Sequence, residues 1–265
     1  MSMIYIHSWS GGKDSTASII LDHIHGLPQS KIIFSEVMFD RHRGISGEYP
    51  EHINFCKNVA IPKFQEWGYD VEVLHADSDY IENFHRVIKN SKIPERNGKI
   101  RGFPIGGRCA INRDIKIKAI KNYLKQYEGQ EITQYVGIAI DEPERLARLE
   151  GTNRVSLLER YGYTEQMAYE LCVQYGLLSP LYEISRRGGC WFCPNTTVTQ
   201  FAYIKQNHAE LWDELKRLSR ESNRVSNTFK YSKSFREVTA EVNAYIKRQE
   251  EAARQVTIFD LEEII

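Results

Sequence analysis

The chain has 265 residues, of which 42% are hydrophobic and 26% charged, and its 35 basic side chains balance 35 acidic ones. This apolar fraction is ordinary for folded proteins, so the composition excludes an intrinsically disordered chain. No stretch approaches the roughly 18 uninterrupted apolar residues of a membrane-spanning helix, and residues 1–10 lack a secretory-signal pattern. We therefore expect a globular cytoplasmic protein with no membrane partner.

Strand-like and helix-like segments alternate through the first 145 residues. Short apolar runs and longer amphipathic runs predict strands at 3–9, 31–39, 70–76 and 134–140, and helices at 13–25, 52–67, 81–89 and 110–127. This alternation is typical of parallel strands joined by crossover helices, so residues 1–150 are expected to form a doubly wound α/β domain. Residues 151–265 are expected to be a helical region, with helices near 164–175, 198–219 and 234–254.

A glycine-rich turn separates the first predicted strand from the first predicted helix. It consists of Ser10, Gly11, Gly12, Lys13, Asp14, Ser15 and Thr16. Glycines between a strand and a helix let backbone N–H groups turn towards an anion, and the helix N-terminus adds its dipole, so phosphate is the natural ligand. Lys13 adds a positive charge, and the three hydroxyl groups add donors. The spacing of the common nucleoside triphosphatase loop is absent, because His7 stands where its first glycine belongs. A simple capping turn is the alternative interpretation.

The turn resembles the pyrophosphate-binding loop, SGGxDS, of the ATP pyrophosphatase superfamily. The resemblance implies an adenine nucleotide α-hydrolase-like fold and ATP as a substrate whose β- and γ-phosphates lie in the loop. A substrate oxygen would attack the α-phosphate, and Asp14 would hold the Mg²⁺ that neutralises the departing pyrophosphate. Asp40 follows the second predicted strand and is a candidate for ribose, adenine or metal contact, with a turn cap as the alternative.

An acidic segment with an arginine follows the fourth predicted strand. Residues 141–145 read Asp-Glu-Pro-Glu-Arg. A proline and acids at a helix start are ordinary capping chemistry, which explains Glu142 and Glu144 better than Asp141 and Arg145. The segment resembles the phosphoadenosine phosphosulfate (PAPS) reductase-like branch of the same superfamily. That resemblance implies that Asp141 and Arg145 face the substrate or nucleotide, and they join Lys13 and Asp14 as catalytic candidates.

The five cysteines form an odd set without a secretory signal, which argues against disulfides and favours metal or redox chemistry. Cys190 and Cys193 form a C-x-x-C turn, and Cys109 and Cys172 lie upstream. Taken alone, Cys172 on an apolar helix face is more often a core residue. Resemblance to cluster-carrying sulfonucleotide reductases and to the DNA phosphorothioation component of this branch implies a [4Fe–4S] cluster at these four residues. Zn²⁺ is the alternative, since both metals accept four thiolates.

Two departures from the sulfonucleotide reductases indicate the reaction. No cysteine follows Cys193, so the C-terminal nucleophile of those enzymes is missing, and the pyrophosphate loop is intact. Both features favour an enzyme that adenylates a substrate and releases pyrophosphate, for sulfur transfer from a donor protein or for nucleic-acid modification. The alternatives are a sulfonucleotide reductase that uses an external thiol, and a non-catalytic module that binds nucleotide or nucleic acid.

The zero net charge conceals two basic segments. Residues 86–121 carry a net charge of +9 and residues 216–236 carry +6. Solvated helix faces would explain such runs. The first segment includes a long loop rich in Gly, Pro and basic side chains, so nucleic acid or another phosphate-rich partner is an equally weighted interpretation.

Overall fold

The structure is a computed structural model that describes residues 3–28, 30–104, 109–185 and 188–262. It divides into two compact units. The first unit comprises Met1–Tyr80 with Ile111–Cys190, and the second comprises Ile81–Ala110 with Trp191–Ile265. The predicted domain boundary near residue 150 falls inside the first unit.

Nine strands lie in the described part of the chain. They are β1 (Ile4–Trp9), β2 (Lys31–Glu36), β3 (Met38–Asp40), β4 (Ile45–Ser46), β5 (Asp70–His75), β6 (Ile132–Tyr135), β7 (Arg154–Val155), β8 (Thr228–Lys230) and β9 (Lys233–Ser234). Five of them form one sheet in the order β5-β2-β1-β6-β7, and every neighbouring pair is parallel. The other four strands form two short antiparallel pairs, β3 with β4 and β8 with β9.

Twelve α-helices lie in the same described ranges. They are α1 (Lys13–His25), α2 (Pro50–Phe55), α3 (Ile61–Glu66), α4 (Tyr80–His85), α5 (Lys118–Leu124), α6 (Pro143–Leu146), α7 (Leu157–Arg160), α8 (Glu165–Gln174), α9 (Leu181–Ile184), α10 (Val198–Asn207), α11 (Ala209–Ser219) and α12 (Phe235–Glu262). A π-helical turn, Cys56–Ala60, joins α2 to α3, and another, Asn112–Ile117, precedes α5. None of these helices is long and apolar enough to cross a membrane.

Helices cover the central sheet on both faces. Ile32 and Phe34 of β2 belong to the apolar cluster that includes α1, α7 and α8. The next residue, Ser35, lies on the other face, where its hydroxyl donates to the carbonyl of Lys116. The fold is therefore the predicted doubly wound α/β fold, with parallel strands that are buried because crossover helices lie on both sides.

Several elements differ from the sequence predictions. The strand predicted at 31–39 divides into β2 and β3, of which only β2 lies in the central sheet, and the helix predicted at 81–89 ends at His85. The strand predicted at 134–140 ends at Tyr135. The helix predicted at 198–219 breaks at His208, where the backbone adopts φ −136° and ψ 61°. The region expected to be helical, residues 151–265, also contains strands, because β7 extends the central sheet and β8 pairs with β9. Strands of two or three residues are too short to show the alternating apolar pattern that predicts a strand.

The second unit is organised around aromatic side chains. The Phe229 ring lies 4.8 Å from that of Phe103 and 5.2 Å from that of Phe235, measured between centroids. The two basic segments meet in this unit, since the amide of Ile100 donates to the carbonyl of Asn223. Residues 105–108, which include Arg108, lie outside the described residues.

Candidate functional site

The glycine-rich turn lies where β1 passes into α1. Gly11 has φ +75°, which L side chains rarely adopt, and an added Cβ would lie 2.5 Å from Cε1 of His52. Gly11 is therefore required by its backbone angle and by its contact with a buried ring. The next residue, Gly12, is the N-cap of α1 and has no side chain that could cap the helix. The N-cap position therefore supplies no side-chain acceptor to the first amides of α1.

Three hydroxyl groups hold the turn together. Ser15 accepts a hydrogen bond from the amide of Ser10 at 3.1 Å, and the Ser10 and Ser15 hydroxyl oxygens lie 3.0 Å apart. The amide of Lys13 donates to the hydroxyl of Tyr182 at 2.7 Å. Thr16 is wholly buried and accepts from the Trp9 indole at 2.9 Å. Among the predicted phosphate-contacting hydroxyls, that of Thr16 therefore serves the packing beneath the turn.

His52 supports the turn from within the core of the first unit. Its Nε2 lies 3.3 Å from the carbonyl oxygen of Ser10, and its Nδ1 lies 2.7 Å from the hydroxyl of Ser179. A carbonyl can only accept, so Nε2 donates and Nδ1 accepts from Ser179. Burial lowers the pKa of His52, which favours this neutral form.

Gly137, just beyond β6, contacts the first turn of α1. A Cβ at this position would lie 2.3 Å from the amide nitrogen of Ser15 and 2.5 Å from the carbonyl carbon of Asp14. A glycine in an apolar strand pattern is a known sign of such a close backbone approach. This signal is present in the sequence and identifies Gly137 as part of the turn's support.

Three carboxylates converge beside the turn. Asp14, Glu142 and Glu165 each place an oxygen within 4.8 Å of the others, and the described residues contain no other set of three or more metal-ligating side chains this close. The Lys13 ammonium lies 2.7 Å from Oδ1 of Asp14 and 3.2 Å from Oε1 of Glu165. Lys13 and the guanidinium of Arg145, which contacts Glu142, supply two positive charges against three carboxylates, so the remaining negative charge favours a further cation.

The pKa shifts agree with that geometry. Burial raises the pKa of Asp14; Lys13 opposes the rise, and the charges of Glu165 and Glu142 add to it. Burial would lower the pKa of Lys13, but the carboxylates of Asp14 and Glu165 outweigh it and the net shift is upward. Lys13 is therefore firmly cationic, while the charge on Asp14 is only partly compensated.

The predicted pair Asp141 and Arg145 contacts this cluster through its neighbours. Nη1 of Arg145 lies 2.5 and 2.6 Å from the two carboxylate oxygens of Glu142. Asp141 accepts the amide of Glu165 at 3.1 Å, at the start of α8. In this arrangement Arg145 orients one cluster acid and Asp141 anchors the helix that carries another.

Two of the three clustered acids are not singled out by the sequence. Glu142 is explained there by ordinary helix-start chemistry, and Glu165 lies outside the predicted motifs. The only local signal for Glu165 is its place in the first turn of α8, after the N-cap Thr164. First-turn acids are common, so that signal carries little information.

Asp40 lies at the end of β3, outside the central sheet. Its carboxylate accepts from Nε of Arg43 at 2.6 Å and from the Arg43 amide at 3.1 Å. Burial opposes the shift, but these hydrogen bonds lower the pKa of Asp40. The contacts fit the turn-cap alternative, and the predicted nucleotide contact remains a prediction.

The four predicted cysteine ligands are divided between the two units. In the first unit, Cys172 is fully buried, and its thiol donates to the carbonyl of Lys13 at 3.3 Å. Burial raises the pKa of Cys172 to about 12. Cys190, also in this unit, is half-buried and its backbone bridges Glu48. The environment of Cys172 is that of a core thiol and fits poorly with a thiolate ligand.

The other two cysteines lie in the second unit. Cys109 is exposed and Cys193 is half-buried. Burial raises the pKa of Cys193, and the nearby Cys109 adds to the rise. Among the described residues, the four cysteines do not form a group of three or more ligand atoms within 4.8 Å of one another. Arg187, which precedes the C-x-x-C segment, lies outside the described residues.

Comparison with known proteins found similarity among solved structures. No protein-family model matches the chain. No curated protein matches it either. A crystal structure described as a predicted subunit of a tRNA methyltransferase from Methanocaldococcus jannaschii is similar over 71% of this chain and 95% of its own. The sequence identity is 14% and the TM-score is 0.27, a likeness too weak to support an inference about function.

Proposed function

We propose that this protein is an ATP pyrophosphatase of the PAPS reductase-like branch, which adenylates a substrate and releases pyrophosphate. The observation that carries the proposal is the glycine-rich turn at the N-terminus of α1, which lies beside the cluster of Asp14, Glu142 and Glu165. A phosphate-binding turn and a cation-binding group of acids are the two parts that an ATP-cleaving site needs. Sulfur transfer, with a sulfur donor protein, or nucleic-acid modification is the proposed context.

The proposed reaction is nucleophilic substitution at the α-phosphorus of ATP. A substrate oxygen forms a bond to that phosphorus, and the bond to the bridging oxygen of pyrophosphate breaks with its electron pair. Gly11 and Gly12 shape the turn that receives the β- and γ-phosphates, and Lys13 offsets their charge. Arg145 and Asp141 keep Glu142 and Glu165 in position.

The carboxylate cluster fits Mg²⁺. This hard cation prefers oxygen ligands and is commonly held by one or two carboxylates together with substrate phosphates. Asp14, Glu142 and Glu165 would hold it, and it would supply charge neutralisation for the leaving pyrophosphate. Lys13 contacts two of the same acids, which limits their mutual repulsion.

The test measures AMP and pyrophosphate formed from α-labelled ATP, under anaerobic conditions with single-stranded nucleic acid and sulfide present. We expect Glu142→Gln to reduce turnover about 100-fold, because preorganised charge at the reacting phosphates is lost. Glu144→Gln is the matched control, since it removes an exposed acid from the same short helix, outside the cluster. Equal effects of the two substitutions would exclude a specific role for the cluster.

Two other outcomes would replace the proposal. Sulfite released from a sulfonucleotide without ATP would identify a reductase that uses an external thiol. ATP binding without any turnover, unchanged by Asp14→Asn, would identify a non-catalytic binding module.

A [4Fe–4S] cluster, or Zn²⁺ in its place, remains a proposal for the cysteine residues. The C-x-x-C spacing of Cys190 and Cys193 supports a metal site, whereas the burial of Cys172 does not. Metal content and visible absorption after anaerobic purification test it. A colourless protein without iron would exclude the iron–sulfur cluster, and the absence of zinc as well would exclude a metal site at these cysteines.

A further inference from the structure

A basic cavity of about 620 Å³ lies in the second unit, among α10, α11 and α12. Its lining includes four cationic side chains, Lys205, Lys216, Arg220 and Arg236, and one acid, Asp213. Trp212 and Phe235 contribute the aromatic part of the lining. The cavity belongs to neither the glycine-rich turn nor the cysteine motif.

Helix geometry explains why these side chains converge. Trp212 and Lys216 are four residues apart on α11, and Arg220 follows four residues later, so all three lie along one side of the helix. Arg236 lies in the first turn of α12. Lys205 of α10 is held by a hydrogen bond to Asn243, with its ammonium 5.9 Å from the centre of the Trp212 ring.

The charges of the cavity are largely uncompensated. Asp213 lies 3.9 Å from Lys216, and both side chains are exposed, so this pair is weak. Within the described ranges, neither Arg220 nor Arg236 has a carboxylate within 4.0 Å. Two guanidinium groups without acidic partners are suited to phosphate, which they can bind through paired hydrogen bonds.

The apolar part of the lining limits the class of ligand that the cavity can bind. The Trp212 and Phe235 rings lie 5.0 Å apart and are 5% and 8% exposed, so both are largely buried and leave little ring surface for stacking. A duplex presents phosphates on a convex surface, with its bases stacked inside. A concave site of this volume is in the range that accommodates a small organic ligand, and its cations suit the phosphates of a single strand, whose flexible backbone can follow a positively charged groove.

We propose that this cavity binds an unpaired nucleotide of a single-stranded polynucleotide, with Arg220 and Arg236 on its phosphates. Residues 216–236, which carry a net charge of +6, supply three of the four lining cations, so part of that charge lies at the proposed phosphate-binding site. The further statement that this strand is the acceptor for adenylation rests on the proposed function. Binding of the strand itself does not require ATP.

The test is fluorescence anisotropy of a labelled 20-nucleotide single strand, in the absence of ATP and over a series of salt concentrations. We expect the double variant Arg220→Gln/Arg236→Gln to raise Kd at least about tenfold and to reduce the salt slope by roughly 1.4, since each lost phosphate contact removes about 0.7. The matched control is Lys247→Gln/Arg248→Gln, which removes the same charge from exposed positions of α12 outside the cavity. Its Kd should change less than about twofold.

Several results would overturn the proposal. They are no binding by the unaltered protein, an equal loss of affinity in both double variants, competition by duplex as effective as by single strand, and full competition by a free mononucleotide at the same nucleotide concentration. ATP turnover is measured separately. Normal strand binding without pyrophosphate release would reject the proposed function and leave the binding site standing.

Discussion

Replacing Gly137 by Ala tests whether the strand end behind the glycine-rich turn fixes the start of α1. The added Cβ would lie 2.3 Å from the Ser15 amide nitrogen and 2.5 Å from the Asp14 carbonyl carbon. Both are backbone atoms, so rotation of a side chain cannot relieve the contact. Ordinary contact begins at 3.4 Å, so the two backbones would have to separate by about 1 Å.

Two effects of Gly137→Ala follow from that displacement. Overpacking of this kind costs about 1–3 kcal/mol in the free energy of unfolding. A displacement of about 1 Å at a reacting centre lowers turnover by roughly 100-fold. Urea unfolding followed by circular dichroism measures the first effect, and AMP release from ATP measures the second.

Gly188→Ala is the control for this substitution. An added Cβ there meets nothing within 4 Å, and the backbone of Gly188 is outside the left-handed region. Stability and turnover should both be unchanged. Unaltered stability of Gly137→Ala would refute the close backbone contact. Lost stability with unaltered ATP affinity and turnover would show that the turn is not the ATP site.

Three further predictions concern the support of the site. Tyr182→Phe removes the hydroxyl that accepts a hydrogen bond from the Lys13 amide, so the protein without ATP should lose about 1–3 kcal/mol in its free energy of unfolding. In thermal-shift measurements, ATP should raise the melting temperature of this variant by more than that of the unaltered protein. Burial keeps His52 neutral in the folded protein, whereas the same ring in the unfolded chain can take up a proton. The free energy of unfolding should therefore fall as pH drops below the ordinary pKa of 6.5, by up to about 1.4 kcal/mol per pH unit. In His52→Asn, urea unfolding across the same pH range should show a shallower dependence on pH. Cys172→Ala should cost about 1 kcal/mol and leave the metal content unchanged, whereas loss of metal by atomic absorption would restore Cys172 as a ligand.

The regular elements of the first unit follow closely from local patterns. The helix predicted at residues 13–25 has the bounds of α1, and the strands predicted at 3–9 and 70–76 differ from β1 and β5 by one residue at one end. These elements are buried on regular faces, so their apolar period reports their position directly. The sequence does not predict β7, because a strand of two residues is too short to show an alternating apolar pattern. It pairs with β6 only because the chain between them returns to the sheet edge.

The site was predictable where one segment contains the whole signal. The residues from Ser10 to Ser15 are contiguous, and glycines between a predicted strand and a predicted helix indicate a phosphate-binding turn from the sequence alone. The carboxylate cluster joins residues 14, 142 and 165, and no local pattern relates positions so far apart in the chain. Parallel strand order brings the ends of β1 and β6 together, which places Glu142 near Asp14. The position of Glu165 depends further on where α8 begins.

Helix α8 connects these observations. Its first residue, Glu165, contacts the Lys13 ammonium, and Cys172, about two turns later, donates to the Lys13 carbonyl. One helix therefore contacts both the side chain and the backbone of the lysine that faces the proposed phosphates. Oxidation or metal binding at Cys172 would remove the second contact, because the thiol proton would no longer be available. On this reasoning a reduced and protonated Cys172 is part of the support for Lys13, and the thiolates of any cysteine metal site should come from the remaining candidates.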